Sequence, residues 1–230
     1  MRPFPAISAI VCILVLAAVS DIASQEILTA EKYLARIGEK YAGIKDYEAK
    51  IGIQTASIAM NGTLAQRSPN LLRIDFAKPE EQVILFDGGT LTVYLPEYRA
   101  VLSQSVSSSG KLSGAALASP QGLTLLRRNY TVAYTVGPDP LPLEENSSEQ
   151  VIKLSLTRRN ASEGFSTLQL AIGAQSELIR RIEGRTIADE TVIFDFTDMK
   201  VNQGIPEARF LYDSPASANM YNNFLFKNTD

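Results

Sequence analysis

The first part of the chain carries apolar residues at helical spacing. Between Glu26 and Ile44 they recur every three or four positions, at Ile27, Ala30, Leu34, Ile37, Tyr41 and Ile44. Charged residues, among them Glu31, Lys32 and Arg36, fall between them. This pattern predicts one amphipathic helix whose apolar stripe covers a sheet.

After Tyr47 the spacing becomes alternating. Leu72, Ile74 and Phe76 alternate with their neighbours, and similar runs recur as far as Phe196. Turn sequences separate the runs, at Asn61-Gly62, Asp87-Gly88-Gly89, Gly137-Pro138 and Asn202-Gln203-Gly204. The pattern predicts about eleven strands. Because most connections are short turns rather than helical crossovers, the sheet should be antiparallel.

One segment interrupts the strands. Lys111 to Asn129 has apolar residues at helical spacing, and Pro120 divides it into two short helices, the second of which begins near that proline. The proline-containing segment 137–149 is predicted to be an exposed connection. The fold is therefore mainly β, with three helices. A sheet of this size curls, and its inner side either packs on the helices as a closed core or encloses an apolar cavity.

The N-terminal segment reads as a secretion signal. Arg2 precedes an apolar run from Ala6 to Val19, which is short for a bilayer core of about 30 Å. The sequence predicts a signal peptide over residues 1–20, with cleavage after Ser20 or, alternatively, after Ser24. Residues 21–230 then form a single exported domain. The one cysteine, Cys12, lies inside the signal, so no disulfide is expected in that domain.

Composition limits the chemistry. The 230 residues include no histidine and carry a net charge of −3. Histidine-based catalysis and histidine-ligated metals are therefore excluded, and no basic footprint for nucleic acid exists. We expect no metal, no cofactor and no enzymatic activity. The alternative is a secreted hydrolase that uses a carboxylate pair, for which the candidates are Asp87, Asp195, Asp198 and Glu207.

Sequence motifs between residues 68 and 96 resemble those of a known family. They are Ser68-Pro69-Asn70-Leu71-Leu72, Lys78-Pro79-Glu80-Glu81 and Asp87-Gly88-Gly89-Thr90-Leu91-Thr92-Val93-Tyr94-Leu95-Pro96. A second patch, from Asn202 to Phe210, is similar to the C-terminal strand of the same family. Together they resemble the LolA family of periplasmic outer-membrane lipoprotein carriers.

The resemblance implies both a fold and a function. The fold is a half-open, incomplete antiparallel β-barrel covered by three helices. The function is that of a monomeric periplasmic chaperone that holds the acyl chains of lipoproteins in its cavity. An inner-membrane transporter releases these lipoproteins to the carrier, which delivers them to an outer-membrane acceptor. A helical lid held shut by a few hydrogen bonds lowers the apparent ligand affinity in proportion to the fraction of open molecules, and so permits onward transfer.

The resemblance also assigns residues. Leu72 matches a bulky apolar position that faces the cavity, and alternation places Ile74 and Phe76 on the same side. Leu91 and Val93 in the following hairpin complete the predicted lipid-binding cavity. In the family, an arginine just before the Pro-Asn strand bonds to helix carbonyls and latches the empty lid. The nearest arginine here is Arg67, although Ser68 separates it from Pro69.

Two other functions fit the same fold. A carrier of free lipid, or a regulator that senses lipids or lipoproteins, would use the same cavity.

Overall fold

A computed structural model of the chain describes residues 28–105 and 117–224. The predicted signal peptide and residues 111–116 of the predicted helical insertion lie outside the described residues. The described part contains two α-helices, α1 and α2, and one sheet of thirteen strands.

Helix α1 spans Ala30–Ala42 and is shorter than the predicted helix over 26–44. Its start is fixed by Thr29, whose side chain accepts a hydrogen bond from the Lys32 N–H at 3.2 Å. It ends at Gly43, whose N–H donates to carbonyls of the last turn. The predicted stripe is buried at Ala30, Leu34, Ile37 and Tyr41, and Tyr33 joins it.

Helix α2 spans Pro120–Asn129, as the position of Pro120 predicted. The side chain of Ser119 caps it by accepting from the Gly122 N–H at 3.1 Å, and the proline occupies the first turn, where a missing N–H costs nothing. Leu123 and Leu126 are buried. The other predicted helix of the insertion falls mostly on residues outside the described ranges, so two helices are described where three were predicted.

The strands form one continuous sheet. Their bounds are β1 Asp46–Gln54, β2 Ala59–Arg67, β3 Leu71–Lys78, β4 Val83–Phe86, β5 Thr90–Leu95, β6 Ala100–Ser105, β7 Tyr130–Tyr134, β8 Leu141–Pro142, β9 Gln150–Arg158, β10 Phe165–Gly173, β11 Ile179–Thr186, β12 Thr191–Val201 and β13 Asn219–Asn222. The order across the sheet is β13-β6-β5-β4-β3-β2-β1-β12-β11-β10-β9-β7, and β8 also pairs with β9. The sheet path starts at β13 and ends at β7, so it stays open within the described residues, as the half-open prediction required.

Two details differ from the predicted sheet. The strand count exceeds the predicted eleven because β8 and β13, with two and four residues, are too short to show an alternating pattern. In addition, β13 pairs with β6 in parallel, whereas the other paired strands are antiparallel. The chain reaches this parallel position by crossing the sheet after β12, a route that a local pattern does not reveal.

The prediction of a turn at Asn61-Gly62 is wrong. Both residues lie inside β2, at an irregularity in its pairing with β3. Glycine is needed there because a Cβ on Gly62 would lie 2.2 Å from the Asp75 carbonyl oxygen. The connection between β1 and β2 is instead 55–58, where the Thr55 hydroxyl accepts from the Ile58 N–H at 3.1 Å. The predicted turn at Asp87-Gly88-Gly89 is confirmed, with Gly88 at a φ of 98°.

The two faces of the sheet carry different cores. The inner face, which includes Leu64 and Leu72, joins α1 and α2 in the main hydrophobic cluster. The outer face carries a smaller cluster of Ala65, Leu85 and Phe210. We call β1, β7 and β9–β12 the helix-covered half, and β3–β6 the open half. The inner face of the helix-covered half forms the centre of the main core.

Residues 205–212, here called the strap, run across the outer face near β2–β4. The predicted C-terminal strand in this region is not formed, because Glu207–Phe210 makes a 3-10 turn. Phe210 is 2% exposed and packs with Ala65 and Leu85. The preceding turn is tied to β1, since the buried carboxylate of Asp46 accepts from the backbone N–H groups of Gln203 at 2.8 Å and Gly204 at 3.1 Å.

Candidate functional site

The predicted cavity residues lie together on the inner face of the open half. Leu72 on β3 lies directly opposite Phe86 on β4, and Phe86 lies directly opposite Leu91 on β5. Residues directly opposite one another in an antiparallel pair share a face, so these side chains form a continuous row. Since the row lies near the ends of the strands, we call it the rim row, and its members from β2 to β6 are Gln66, Leu72, Phe86, Leu91 and Gln104.

A second row, the middle row, runs parallel to the first. It contains the two other predicted residues Ile74 and Val93, and its members from β2 to β6 are Leu64, Ile74, Ile84, Val93 and Leu102. Phe76 follows Ile74 on the same face, two residues along β3. The structure therefore brings Leu72, Ile74, Phe76, Leu91 and Val93 onto one apolar surface.

Sequence reasoning missed Ile84, Phe86 and Leu102 on this surface. Strand β4 is apolar at all four positions, from Val83 to Phe86. A continuous apolar run is the signal of a strand whose two faces both meet apolar surroundings. That signal could have identified Ile84 and Phe86, although only the pairing register shows which residues share the inner face.

Exposure increases along the middle row towards the edge of the sheet. Leu64 is 0% and Ile74 is 2% exposed, whereas Ile84, Val93 and Leu102 are partly exposed. In the rim row, Leu72 is 6% exposed, and Phe86 and Leu91 are partly exposed. The open half thus presents apolar side chains that the described residues cover incompletely.

The outer face of the open half is covered by the strap. The Arg73 guanidinium donates to the carbonyls of Leu211 at 2.8 Å and Arg209 at 3.2 Å. It also forms an ion pair with Asp75 at 2.8 Å, and Asp75 in turn pairs with Arg209. Tyr212 packs against Tyr94 with ring centroids 6.1 Å apart. These contacts fasten the strap to one face and leave the other face of the same strands apolar.

Arg67 does not form the latch that the resemblance implied. Its guanidinium donates to the Ile205 carbonyl at 2.7 Å, which places it on the strap at the outer face. Ser68 occupies the position directly before Pro69, and its hydroxyl donates to the Ile44 carbonyl, just beyond α1, at 2.9 Å. One residue of displacement along a strand moves a side chain to the other face, which explains why Arg67 points away from the helices.

Tyrosine hydroxyls attach the helical segments to the sheet. The Tyr41 hydroxyl accepts from the Ile179 N–H at 2.9 Å, and the Tyr47 hydroxyl donates to the Ala118 carbonyl at 2.8 Å. The Tyr134 hydroxyl donates to the Leu28 carbonyl at 2.8 Å. Burial raises the pKa of Tyr41 and Tyr47 well above the ordinary tyrosine value. These phenols therefore remain neutral at physiological pH.

The carboxylates of the hydrolase alternative have separate structural roles. The Asp87 side chain accepts from the Thr90 N–H at 2.7 Å inside its turn. Asp195 pairs with Arg181 at 2.6 Å, and Asp198 pairs with Lys50 at 2.6 Å. Glu207 is exposed in the strap. Asp75 and Asp195 line an outer-face depression of about 640 Å³, but each carboxylate there is neutralised by an arginine.

Metal-binding clusters and membrane-spanning helices are both absent from the described part of the chain. Within residues 28–105 and 117–224, no group of three or more metal-binding side chains is close enough to hold a metal ion. Across the same ranges, no helix has the length and apolar character needed to cross a membrane.

Sequence comparison identifies relatives. The profile of the family described as "Outer membrane lipoprotein carrier protein LolA" matches residues 53–213. The chain is similar to the outer-membrane lipoprotein carrier protein of Bordetella avium (strain 197N), with 25% identity over 70% of this chain and 71% of the relative. The protein of the same name from Dechloromonas aromatica (strain RCB) is 24% identical over 70% of each chain.

Solved structures share the fold. An uncharacterized conserved protein from Thermus thermophilus superposes with a TM-score of 0.54 at 13% identity, covering 82% of this chain and 96% of that one. The Pseudomonas aeruginosa MucA/MucB complex gives a TM-score of 0.50 at 13% identity, covering 83% of this chain and 62% of that one. At these identities, the similarity concerns the fold alone.

Proposed function

The chain belongs to the family of outer membrane lipoprotein carrier proteins, LolA, and we propose that it is a periplasmic carrier of acylated lipoproteins. In this proposal it receives lipoproteins released from the inner membrane by a transporter and delivers them to an acceptor at the outer membrane. It acts as a binding protein without enzymatic activity. The predicted signal peptide over residues 1–20 would export it.

One observation carries the proposal, namely the incompletely covered apolar surface of the rim and middle rows. Its exposed side is formed by Ile84, Phe86, Leu91, Val93 and Leu102. Burial of each methylene of an acyl chain contributes about 0.8 kcal/mol, so a long chain gains several kcal/mol on such a surface. The strap covers the opposite face of the same strands, which limits acyl binding to the inner face.

Loading requires that the covering segments do not bind too firmly. Ser68 supplies one neutral hydrogen bond to the chain just after α1, where the family is expected to have an arginine. A neutral bond contributes about half as much as a charge-assisted bond. In the proposed mechanism, α1 and α2 separate slightly from the open half when acyl chains enter. A lid that opens readily increases the fraction of protein molecules that can bind cargo without a prior rearrangement.

Native purification tests the proposal. The protein is purified without detergent from the periplasm of its own host and examined by mass spectrometry. We expect triacylated lipoproteins to co-purify at close to one per protein. A Val93→Glu variant should lose them, while the matched Thr92→Glu variant, which places the same charge on the outer face, should retain them. An empty protein that takes up no lipoprotein from membranes would contradict the carrier function.

The same experiment distinguishes the alternative function, binding of free lipid, from the carriage of lipoproteins. If free phospholipid co-purifies without lipoprotein, the surface serves a lipid carrier or a lipid-sensing regulator. The apolar surface would then have the same role with a different cargo.

A further inference from the structure

Gln66 lies at one end of the rim row, next to its three apolar members, without a hydrogen-bond partner. It is 2% exposed, and within the part of the chain that the structure describes neither its Nε2 nor its Oε1 atom has a partner. Its direct neighbours across the strands are Tyr47 on β1 and Leu72 on β3. The Tyr47 hydroxyl is already engaged with the Ala118 carbonyl. The amide of Gln66 is therefore an unsatisfied polar group on the inner face.

Such a residue is costly for the empty protein. A buried amide that loses its water without gaining a protein partner is destabilising, and most buried polar groups in native structures are paired. Methionine or leucine would fill the same space without this cost. The adjacent inner-face position on β2, Leu64, is apolar. Packing therefore does not explain the amide at position 66.

The position of Gln66 within the apolar surface indicates what it could contact. It lies one residue before the end of β2, and Leu72 is the second residue of β3. The rim row thus lies at the end of the strands, and the middle row lies deeper by two residues, about 7 Å. An acyl chain whose hydrocarbon lies on Ile74, Ile84 and Val93 would have its carbonyl end at the rim row, where the cargo leaves the surface.

Resting on the proposed carrier function, we propose that Gln66 is a polar recognition site for the carbonyl group that links an acyl chain to its cargo. The Nε2–H group donates to the ester or amide carbonyl oxygen. The Oε1 atom accepts a hydrogen bond from an amide N–H where the linkage has one. A bare hydrocarbon chain satisfies neither atom, so the site favours acyl chains over alkyl chains and fixes how far a chain enters.

Three fluorescent probes with one common hydrophilic peptide test this proposal. The first carries two ester-linked palmitoyl chains on a glyceryl thioether, and the second carries the same chains through ether bonds, which lack the carbonyl. The third carries one amide-linked palmitoyl chain. We expect the wild-type protein to bind the ester probe about three- to tenfold more tightly than the ether probe, as one net hydrogen bond allows.

The variant Gln66→Met should remove this preference. Its affinity for the ester probe falls to the ether value, whereas its affinity for the ether probe is unchanged, and its melting temperature rises because an unpaired amide is gone. If Gln66→Met also binds the amide probe more weakly than the wild-type protein does, the N-acyl chain is a bound group. If its affinity for the amide probe is unchanged, the site recognises the ester-linked chains. The control Leu72→Ala should weaken binding of the ester and ether probes equally.

Three results would overturn the inference. These are equal binding of ester and ether probes by the wild-type protein, equal losses on both probes in Gln66→Met, and no loss on the ester probe in that variant. The wild-type comparison decides even if Gln66→Met does not fold. A wild-type protein that binds neither probe would contradict the carrier function itself, whereas equal binding of both contradicts only the role of Gln66.

Discussion

The two halves of the sheet are covered on opposite faces. In the helix-covered half, the row Ile53, Phe194, Ile182, Leu170 and Leu154 lies under the helices, and its members are at most 9% exposed. The outer face there carries ion pairs such as Arg181–Asp195. In the open half, the strap covers the outer face and the partly exposed apolar rows occupy the inner face.

This difference assigns stability mainly to the helix-covered half and leaves binding to the open half. Fully buried side chains in the helix-covered half contribute most of the free energy of folding, since packing interactions scale with the area removed from water. The open half is held by the strap from outside and can keep part of its inner face available. The partly exposed residues of the binding surface therefore contribute less to the stability of the fold than the buried ones do.

The largest expected effect compares one phenylalanine from each half. Phe196→Ala removes a ring that is 0% exposed and should lower the free energy of unfolding by about 3–5 kcal/mol. Phe86→Ala, in the partly exposed rim row, should cost about 1–2 kcal/mol. Urea denaturation of both variants measures the difference. Equal losses would show that the open half is as tightly packed as the helix-covered half.

A charge on the open half should affect binding more than folding. Val93→Glu places a carboxylate on the partly exposed middle row and should weaken binding of an acylated peptide by about tenfold or more. Leu72→Glu also introduces a charge, but Leu72 is 6% exposed, so that variant should lose stability as well as binding. Fluorescence titration and thermal melting measure the two effects.

The matched control for Val93→Glu is Thr92→Glu, whose side chain lies on the outer face. We expect it to bind acylated peptide as the wild-type protein does. Wild-type binding by Val93→Glu would remove Val93 from the proposed surface.

The strap can be tested separately. Arg73→Leu removes the donors to the Arg209 and Leu211 carbonyls and should cost about 1–3 kcal/mol. It should also make residues 205–212 more sensitive to limited proteolysis. Lys50→Ala, which breaks an exposed ion pair with Asp198 in the helix-covered half, should change neither stability nor proteolysis measurably. Unaltered cleavage in Arg73→Leu would mean that other contacts hold the strap.

Alkaline pH should act on the helix-covered half. Burial raises the pKa of Tyr33 to about 12 and that of Tyr41 further. Because the folded state keeps these protons longer than the unfolded state, the stability they provide is complete below about pH 10 and is lost as the pH rises above it. Tyr41→Phe should cost about 1 kcal/mol near neutral pH through the lost bond to Ile179.

The same variant should lose stability less steeply above about pH 10, because one raised pKa is removed. Urea titrations at several pH values measure the slope. An unchanged slope would assign the alkaline sensitivity to other groups. Apart from the two control variants, Tyr41→Phe at neutral pH has the smallest expected effect of this series.

Much of the fold could be predicted because the signals are local. The stripe of α1, the start of α2 at Pro120, the alternation in β3 and the turn at Asp87-Gly88-Gly89 are each contained within about twenty residues or fewer. The errors have non-local causes. Asn61-Gly62 is a common turn sequence, but Gly62 is required by the close approach of Asp75 on the next strand. The latch assigned to Arg67 failed because a single residue decides the face of a strand.

The candidate surface shows the same division. Alternation placed Leu72, Ile74 and Phe76 on one face, and the following hairpin contributed Leu91 and Val93. The sequence did not reveal that Ile84 and Phe86 join these strands, that the strap covers the other face, or that the Gln66 amide is buried without a partner. These facts depend on pairing register and on a segment more than a hundred residues away in sequence, as the bond from Arg67 to Ile205 illustrates.

The sequence by itself therefore determined the hydrophobic spacing of helices and strands, the helix starts, the mainly β class and the family motifs, because each depends only on residues close together in the chain. Only the tertiary structure decided which face each covering segment occupies and how far each apolar row is exposed. The physical reason is that alternation along a strand separates its side chains into two faces but does not determine which segment covers each face. What lies on each face is fixed by long-range packing, which buries the apolar side chains of distant segments against one another.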